Sequence, residues 1–188
     1  PFTMEEIKTV RTDNSMESKI VMVYLLTGCR ASELLDVSEI HDEYIVCGLK
    51  TESGKSRKIP IHPIIKPYYK IALKRLSGQT YKKLSGMFKK MMNKYGMDHT
   101  IHDTRYTFAT LGKEYNMKPS AVKKIMGHKL QDLTDDVYTH ESIEYLKNEI
   151  ENQIRNMKLE NVVCIINQTE KPQDYMACLL YTSPSPRD

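Results

Sequence analysis

His102 and Arg105 lie three residues apart in the segment Thr100 to Ala109, a spacing that sends both side chains from one face of a helix. Downstream come His128, behind a Met-Gly pair, and Tyr138, followed by Thr139 and His140; far upstream, Arg30 ends the run Thr27-Gly28-Cys29-Arg30. Two arginines, two histidines and a tyrosine are what is needed to hold a phosphodiester with fixed cations and attack it with a phenol. Taken singly, each residue has a better structural use: an H-x-x-R pair recurs by chance, and most of the twelve tyrosines must serve packing. The set carries the chemistry because its members need one another. A phenol has a pKa of ~10 and is a poor nucleophile at neutral pH unless the phosphate is made more electrophilic and a base takes the proton. Arg30 and Arg105 answer the first need, since guanidinium groups stay ionised and bind non-bridging oxygens as charge builds in a pentacoordinate transition state. His102 and His128 are of a type that can assist proton transfer near neutrality or donate hydrogen bonds.

Four stretches extend the pattern: TGCRASELLDV (27 to 37), KTESGKSRKIPIHP (50 to 63), HDTRYTFAT (102 to 110) and MGHKLQDLTDDVYTH (126 to 140). Together, and in this order, they resemble the catalytic domain of tyrosine recombinases, the integrases of phages and conjugative mobile elements. The resemblance implies an integrase-type site-specific recombinase that cuts and rejoins double-stranded DNA through a 3′-phosphotyrosyl intermediate. It implies Tyr138 as nucleophile, with Arg30, His102, Arg105 and His128 around the phosphate and a hairpin lysine as general acid for the departing 5′ oxygen. Lys50 matches that lysine's motif position best, with Lys55 and Lys58 as rivals. No cofactor and no metal are implied, because fixed cations take the place of divalent ions. Implied partners are a homotetramer on the recombination site and accessory DNA-bending or directionality proteins. Departures are slight: Thr104 stands where leucine is common in the family, and Tyr106 follows the H-x-x-R. A type IB topoisomerase-like strand transferase uses the same chemistry and is the nearest alternative. A catalytically inactive DNA-binding relic is another, set against the presence of every catalytic residue type.

The elements that must position these groups give an α+β, mostly α-helical fold with one small antiparallel sheet and hairpin. Thr3 is placed to cap a first helix with Glu5 and Glu6 in its first turn. Residues 15 to 26 form an apolar helix burying Ile20, Val21, Val23, Tyr24 and Leu25, ended by Gly28. Arg30 then sits in a turn before a second helix over 32 to 37, where Glu33 either braces it or is an ordinary first-turn carboxylate. The period changes to that of strands at 44 to 46, 49 to 51 and 58 to 61, with a turn over 52 to 55. Helices are expected over 63 to 76 and 80 to 95, then, after a break over 96 to 99, one that carries His102 and runs to about Tyr115, and one from Pro119 to Gly127. A short helix over 132 to 140 would carry Tyr138, followed by an amphipathic helix over 142 to 157 and a strand over 161 to 166. Met87, Phe88, Met91 and Met92 read as core filler. His99 with His102 lacks the carboxylate or cysteine that would complete a metal site.

Residues 178 to 188, CLLYTSPSPRD, match a translated reading frame of a transposase-type sequencing adapter at all eleven positions. They are expected to be a foreign scar with no part in the core. The remaining 1 to 177 are expected to be one catalytic domain, with a DNA-clamping domain upstream. The formal charge of +4 survives removal of the tail, because Arg187 and Asp188 cancel. Basic runs at Lys50, Lys55, Arg57 and Lys58, at Lys66, Lys70, Lys74 and Arg75, at Lys82 and Lys83, at Lys89 and Lys90, and at Lys118, Lys123 and Lys124 point to a DNA-facing side. Cys29, Cys47 and Cys164 have neither zinc nor thioredoxin spacing, which fits a reduced, cytoplasmic protein. No apolar run reaches the length of a membrane span.

Overall fold

The apolar segment that ends at Gly28 becomes the central helix of the domain. Ser15 caps it by accepting the Ser18 N–H, and Gly28 closes it in the left-handed conformation at φ 62°. The computed structural model describes residues 1–48, 56–128 and 143–156. Its helices are α1 (Met4–Asp13), α2 (Met16–Thr27), α3 (Tyr69–Leu76), α4 (Tyr81–Tyr95), α5 (Ile101–Glu114), α6 (Pro119–Met126) and α7 (Ile143–Asn156). Its strands are β1 (Glu39–Ile40), β2 (Tyr44–Cys47) and β3 (Arg57–Pro60), an antiparallel sheet in the order β1-β2-β3. The expected α+β, mostly helical class with a small sheet is therefore the observed one.

Every residue of α2 from Ile20 to Thr27 is buried, because α1, α3, α4 and α5 all pack against it. A helix apolar on all sides belongs inside a protein. The neighbouring helices are amphipathic: α4 buries Leu84, Phe88, Met91 and Met92, and α5 buries Phe108 and Leu111. Capping boxes start α1 (Thr3 with Glu6) and α5 (Thr100 with Asp103), satisfying N–H groups that a helix start leaves open. Among the described residues no helix is long and apolar enough to cross a membrane.

Three elements differ from expectation, the first being the short strand β1 at Glu39–Ile40, where no strand is expected. No helix forms over 32 to 37. The chain there makes turns closed by Glu33 N–H to Arg30 C=O and Asp36 N–H to Glu33 C=O, and Tyr24 Oη donates to the Ala31 carbonyl at 2.8 Å. The helix expected from Pro63 begins only at Tyr69. Its approach is a series of i to i+3 turns, since Pro67 has no N–H to donate into an α-helical ladder. The strand expected over 49 to 51, the helix over 132 to 140 and the strand over 161 to 166 lie outside the described residues, as does the tail 178 to 188.

Candidate active site

Arg105 is the best-anchored member of the set. It leaves the middle of α5 and is 4% exposed. Its Nη1 donates to the Gly28 carbonyl at 2.6 Å and its Nη2 to the Met126 carbonyl at 2.6 Å. Those carbonyls belong to helix ends, where four C=O groups lack partners inside the helix. One guanidinium thus ties the end of α2 and the end of α6 to α5. Its Nη2 also lies 2.9 Å from His128 Nε2. His128 reaches this place because Gly127 caps α6 at φ 68° and turns the chain.

Arg30 stands two residues past Gly28, with its side chain 38% exposed. Glu33 braces it twice: Oε2 accepts the Arg30 backbone N–H at 2.7 Å and Oε1 accepts Nη1 at 2.8 Å. The same carboxylate receives Arg57, whose Nη1 and Nη2 donate at 2.9 and 2.6 Å, while Arg57 Nε donates to the Ile125 carbonyl at 2.9 Å. Burial pushes the Glu33 pKa up, but hydrogen bonds and charge from Arg57, and then Arg30, outweigh it and hold the carboxyl at about 2. Burial, and then the charge of Arg30, push Arg105 down to about 10, which leaves it cationic at neutral pH. Burial also lowers His128 below its ordinary value, followed by the charges of Arg105, Arg30, Arg57 and Lys123. Two guanidinium groups on one carboxylate, with a third near enough to feel their charge, leave a net positive site.

His102 lies one turn before Arg105 on α5 but in a different environment. It is exposed, with its ring edge-on to Tyr106 at 4.9 Å between centroids. Lys50, its rival Lys55, and Tyr138 lie outside the described residues. Lys58, the other rival, is on β3 one residue from Arg57 and therefore on the opposite face of the sheet; its Nζ sits over the Tyr44 ring at 5.3 Å.

Arg57 stands elsewhere than its place in a basic run implies. Counted among DNA-facing cations, it is instead 8% exposed and turned inward. The signal available was strand alternation, which puts Arg57 on the face of buried Ile59. The basic run from Lys66 to Arg75 is also less free than its composition implies, because Lys66 pairs with Glu43 and Lys70 with Asp42.

Cys29, Glu33 and Cys47 have ligand atoms within 4.8 Å of one another, the spacing of a metal site. The donor set does not suit a cation there, since both carboxylate oxygens already accept from guanidinium groups. His99 stacks on Phe2 at 3.9 Å and pairs with Glu6 at 3.2 Å.

No protein-family model matches the chain. Two curated relatives do. Tyrosine recombinase XerA of Saccharolobus solfataricus is 32% identical over 142 residues, which cover 69% of this chain and 47% of that protein. Tyrosine recombinase XerA of Pyrococcus furiosus is 28% identical over 186 residues, covering 86% of this chain and 63% of the relative. Both similarities support a tyrosine recombinase. It spans about half the length of the first relative and less than two thirds of the second.

Proposed function

We propose that this chain is the catalytic domain, over residues 1 to 177, of a site-specific recombinase that cuts and rejoins double-stranded DNA through a 3′-phosphotyrosyl intermediate. The observation that carries the proposal is a net cationic cluster in which Arg30 and Arg57 share Glu33 while the nearby Arg105 is hydrogen-bonded to His128. A dianionic transition state at phosphorus is what such a cluster stabilises without a metal ion.

In the proposed reaction Arg30 and Arg105 hold the non-bridging oxygens of the scissile phosphate. The Tyr138 oxygen attacks phosphorus, forming the tyrosyl ester while the bond to the 5′ oxygen breaks. Lys50 supplies the proton that the 5′ oxygen takes, His102 assists transfer from the phenol, and His128 donates a hydrogen bond at the phosphate. Attack by a 5′ hydroxyl from a second strand reverses these steps and restores a DNA phosphodiester, so no nucleotide cofactor is consumed. Action in the cytoplasm as a homotetramer on a recombination site, with accessory DNA-bending or directionality proteins, and origin in a phage or other mobile element, complete this reading.

The test is to incubate the full chain with a pool of nicked duplexes of random sequence and look for a denaturant-resistant adduct. The expected adduct disappears in Tyr138→Phe, which removes one oxygen and keeps the ring. Duplex binding without any adduct would make the chain a DNA binder. An adduct that survives Tyr138→Phe would transfer the nucleophile's role, with Tyr145 the first to examine; its hydroxyl lies 3.3 Å from Ser120 Oγ.

A further inference from the structure

We propose that Arg57 is a positioning residue that occupies the Glu33 carboxylate and so leaves Arg30 a net cation for a DNA phosphate, an inference that rests on the recombinase reading above. The Glu33 carboxylate offers about four lone-pair directions, and all are used. Oε1 takes Arg30 Nη1 and Arg57 Nη1; Oε2 takes the Arg30 backbone N–H and Arg57 Nη2. The two arginines do not share it equally. Arg57 presents both Nη groups, one to each oxygen, the parallel geometry in which guanidinium binds carboxylate most strongly. Arg30 gives one side-chain bond and keeps 38% of its side chain exposed, whereas Arg57 and Glu33 side chains are 6% and 9% exposed.

The buried ion pair is thus Arg57 with Glu33, and the charge of Arg30 is left over. Without Arg57, the nearest partner of this largely buried carboxylate is Arg30, and an incoming phosphate would have to compete with it. The third donor of Arg57 fixes where the pair sits. Nε binds the Ile125 carbonyl near the end of α6, and the Gly127 backbone rests against the guanidinium, so close that an added Cβ would lie 3.1 Å from Nη1 and 3.2 Å from Cζ. One side chain from β3 therefore sets the electrostatics of the Arg30 turn and supports the helix end that presents His128.

The test measures affinity of the full chain for a short duplex of random sequence, by fluorescence anisotropy, in four proteins: wild type, Arg57→Met, Arg57→Met with Glu33→Gln, and Arg57→Met with Glu5→Gln. Arg57→Met alone is expected to weaken binding on the order of fivefold. Adding Glu33→Gln, which removes the carboxylate's charge, is expected to recover most of that loss. Adding Glu5→Gln, which makes the same change in net charge at an exposed residue of α1, is expected to recover none. A double variant with Glu33→Gln that binds no better than Arg57→Met overturns the proposal, since a purely structural defect would deepen as a second buried partner is lost. Equal recovery by Glu5→Gln also overturns it, reducing the effect to overall charge. If Arg57→Met does not fold, Arg57→Lys replaces it, because lysine keeps the charge but cannot form the paired contact. A wild-type chain that binds no duplex would instead overturn the DNA reading itself.

Discussion

The Nη2 of Arg105 donates to Nε2 of His128 at 2.9 Å, and that single contact fixes the protonation of the histidine. A guanidinium has no acceptor, so Nε2 must present a lone pair and the ring must carry its proton on Nδ1. Burial, followed by the surrounding arginines, favours the neutral ring. In the proposed reaction the Nδ1 proton is then the one His128 can offer.

The expected NMR signature is an unprotonated Nε2 at neutral pH, with a titration midpoint below 6.5. Adding duplex DNA should raise that midpoint, because a bound phosphate offsets the neighbouring positive charge. A midpoint above that ordinary value in the free protein would contradict the geometry.

His62 makes a separate prediction about stability. It is 1% exposed, its Nδ1 accepts the Ile64 N–H at 3.2 Å, and burial, with help from the charge of Arg11, pushes its pKa down to about 3. The native state prefers the neutral ring, so the unfolded chain binds the proton first, near 6.5. The stabilising contribution is complete above pH 6.5 and is lost as pH falls from there toward 3, a loss on the order of 5 kcal/mol. Denaturation midpoints measured from pH ~6.5 to ~4.5, above the range where most carboxylates titrate, should fall more steeply for wild type than for His62→Phe. Equal slopes would mean that His62 is not held neutral.

Two glycines should respond in opposite directions. Gly28 has φ 62°, and a Cβ there would lie 2.6 Å from Phe108 Cδ1, inside the contact that joins α2 to α5. Gly28→Ala should cost about 2 to 4 kcal/mol, combining backbone strain with overpacking. Gly86 lies within α4, and a Cβ added there would meet nothing within 4 Å, so Gly86→Ala should stabilise by about 1 kcal/mol. Urea titration reads both, and a stabilising Gly28→Ala would show that the turn before Arg30 yields to the added methyl.

Local signals made most of the fold legible in advance. Thr3 caps the helix its position announces, and Gly28 and Gly127 end helices in the left-handed conformation. The turn at 31 to 35 was less legible, because Glu33 spends its carboxylate on Arg30 and Arg57, the latter 24 residues away. Arg57 hid for the same reason: a cation among cations looks solvated until its buried anion is known. The separation of Arg105 from His102 in burial was likewise unreadable, since spacing on a helix gives direction and not the neighbours that close over one side chain.

Arg30 and Arg105, which play equivalent parts in the proposed chemistry, should differ sharply in what they do for the fold. Arg105→Ala leaves the Gly28 and Met126 carbonyls without their buried donor and opens a void beside His128. It should cost about 2 to 4 kcal/mol as well as DNA affinity, since charged hydrogen bonds and burial are lost together. Arg30→Ala removes a side chain that is 38% exposed, and Glu33 keeps its paired contact with Arg57. Its stability cost should stay within about 1 kcal/mol. Its effect should appear in binding, as weaker duplex affinity with a shallower dependence on salt, because one fewer phosphate is neutralised. Chemical denaturation beside duplex titrations at several salt concentrations measures both quantities for both variants. An Arg30→Ala protein that unfolds as readily as Arg105→Ala, or that binds duplex with wild-type affinity and salt slope, would remove Arg30 from the phosphate site.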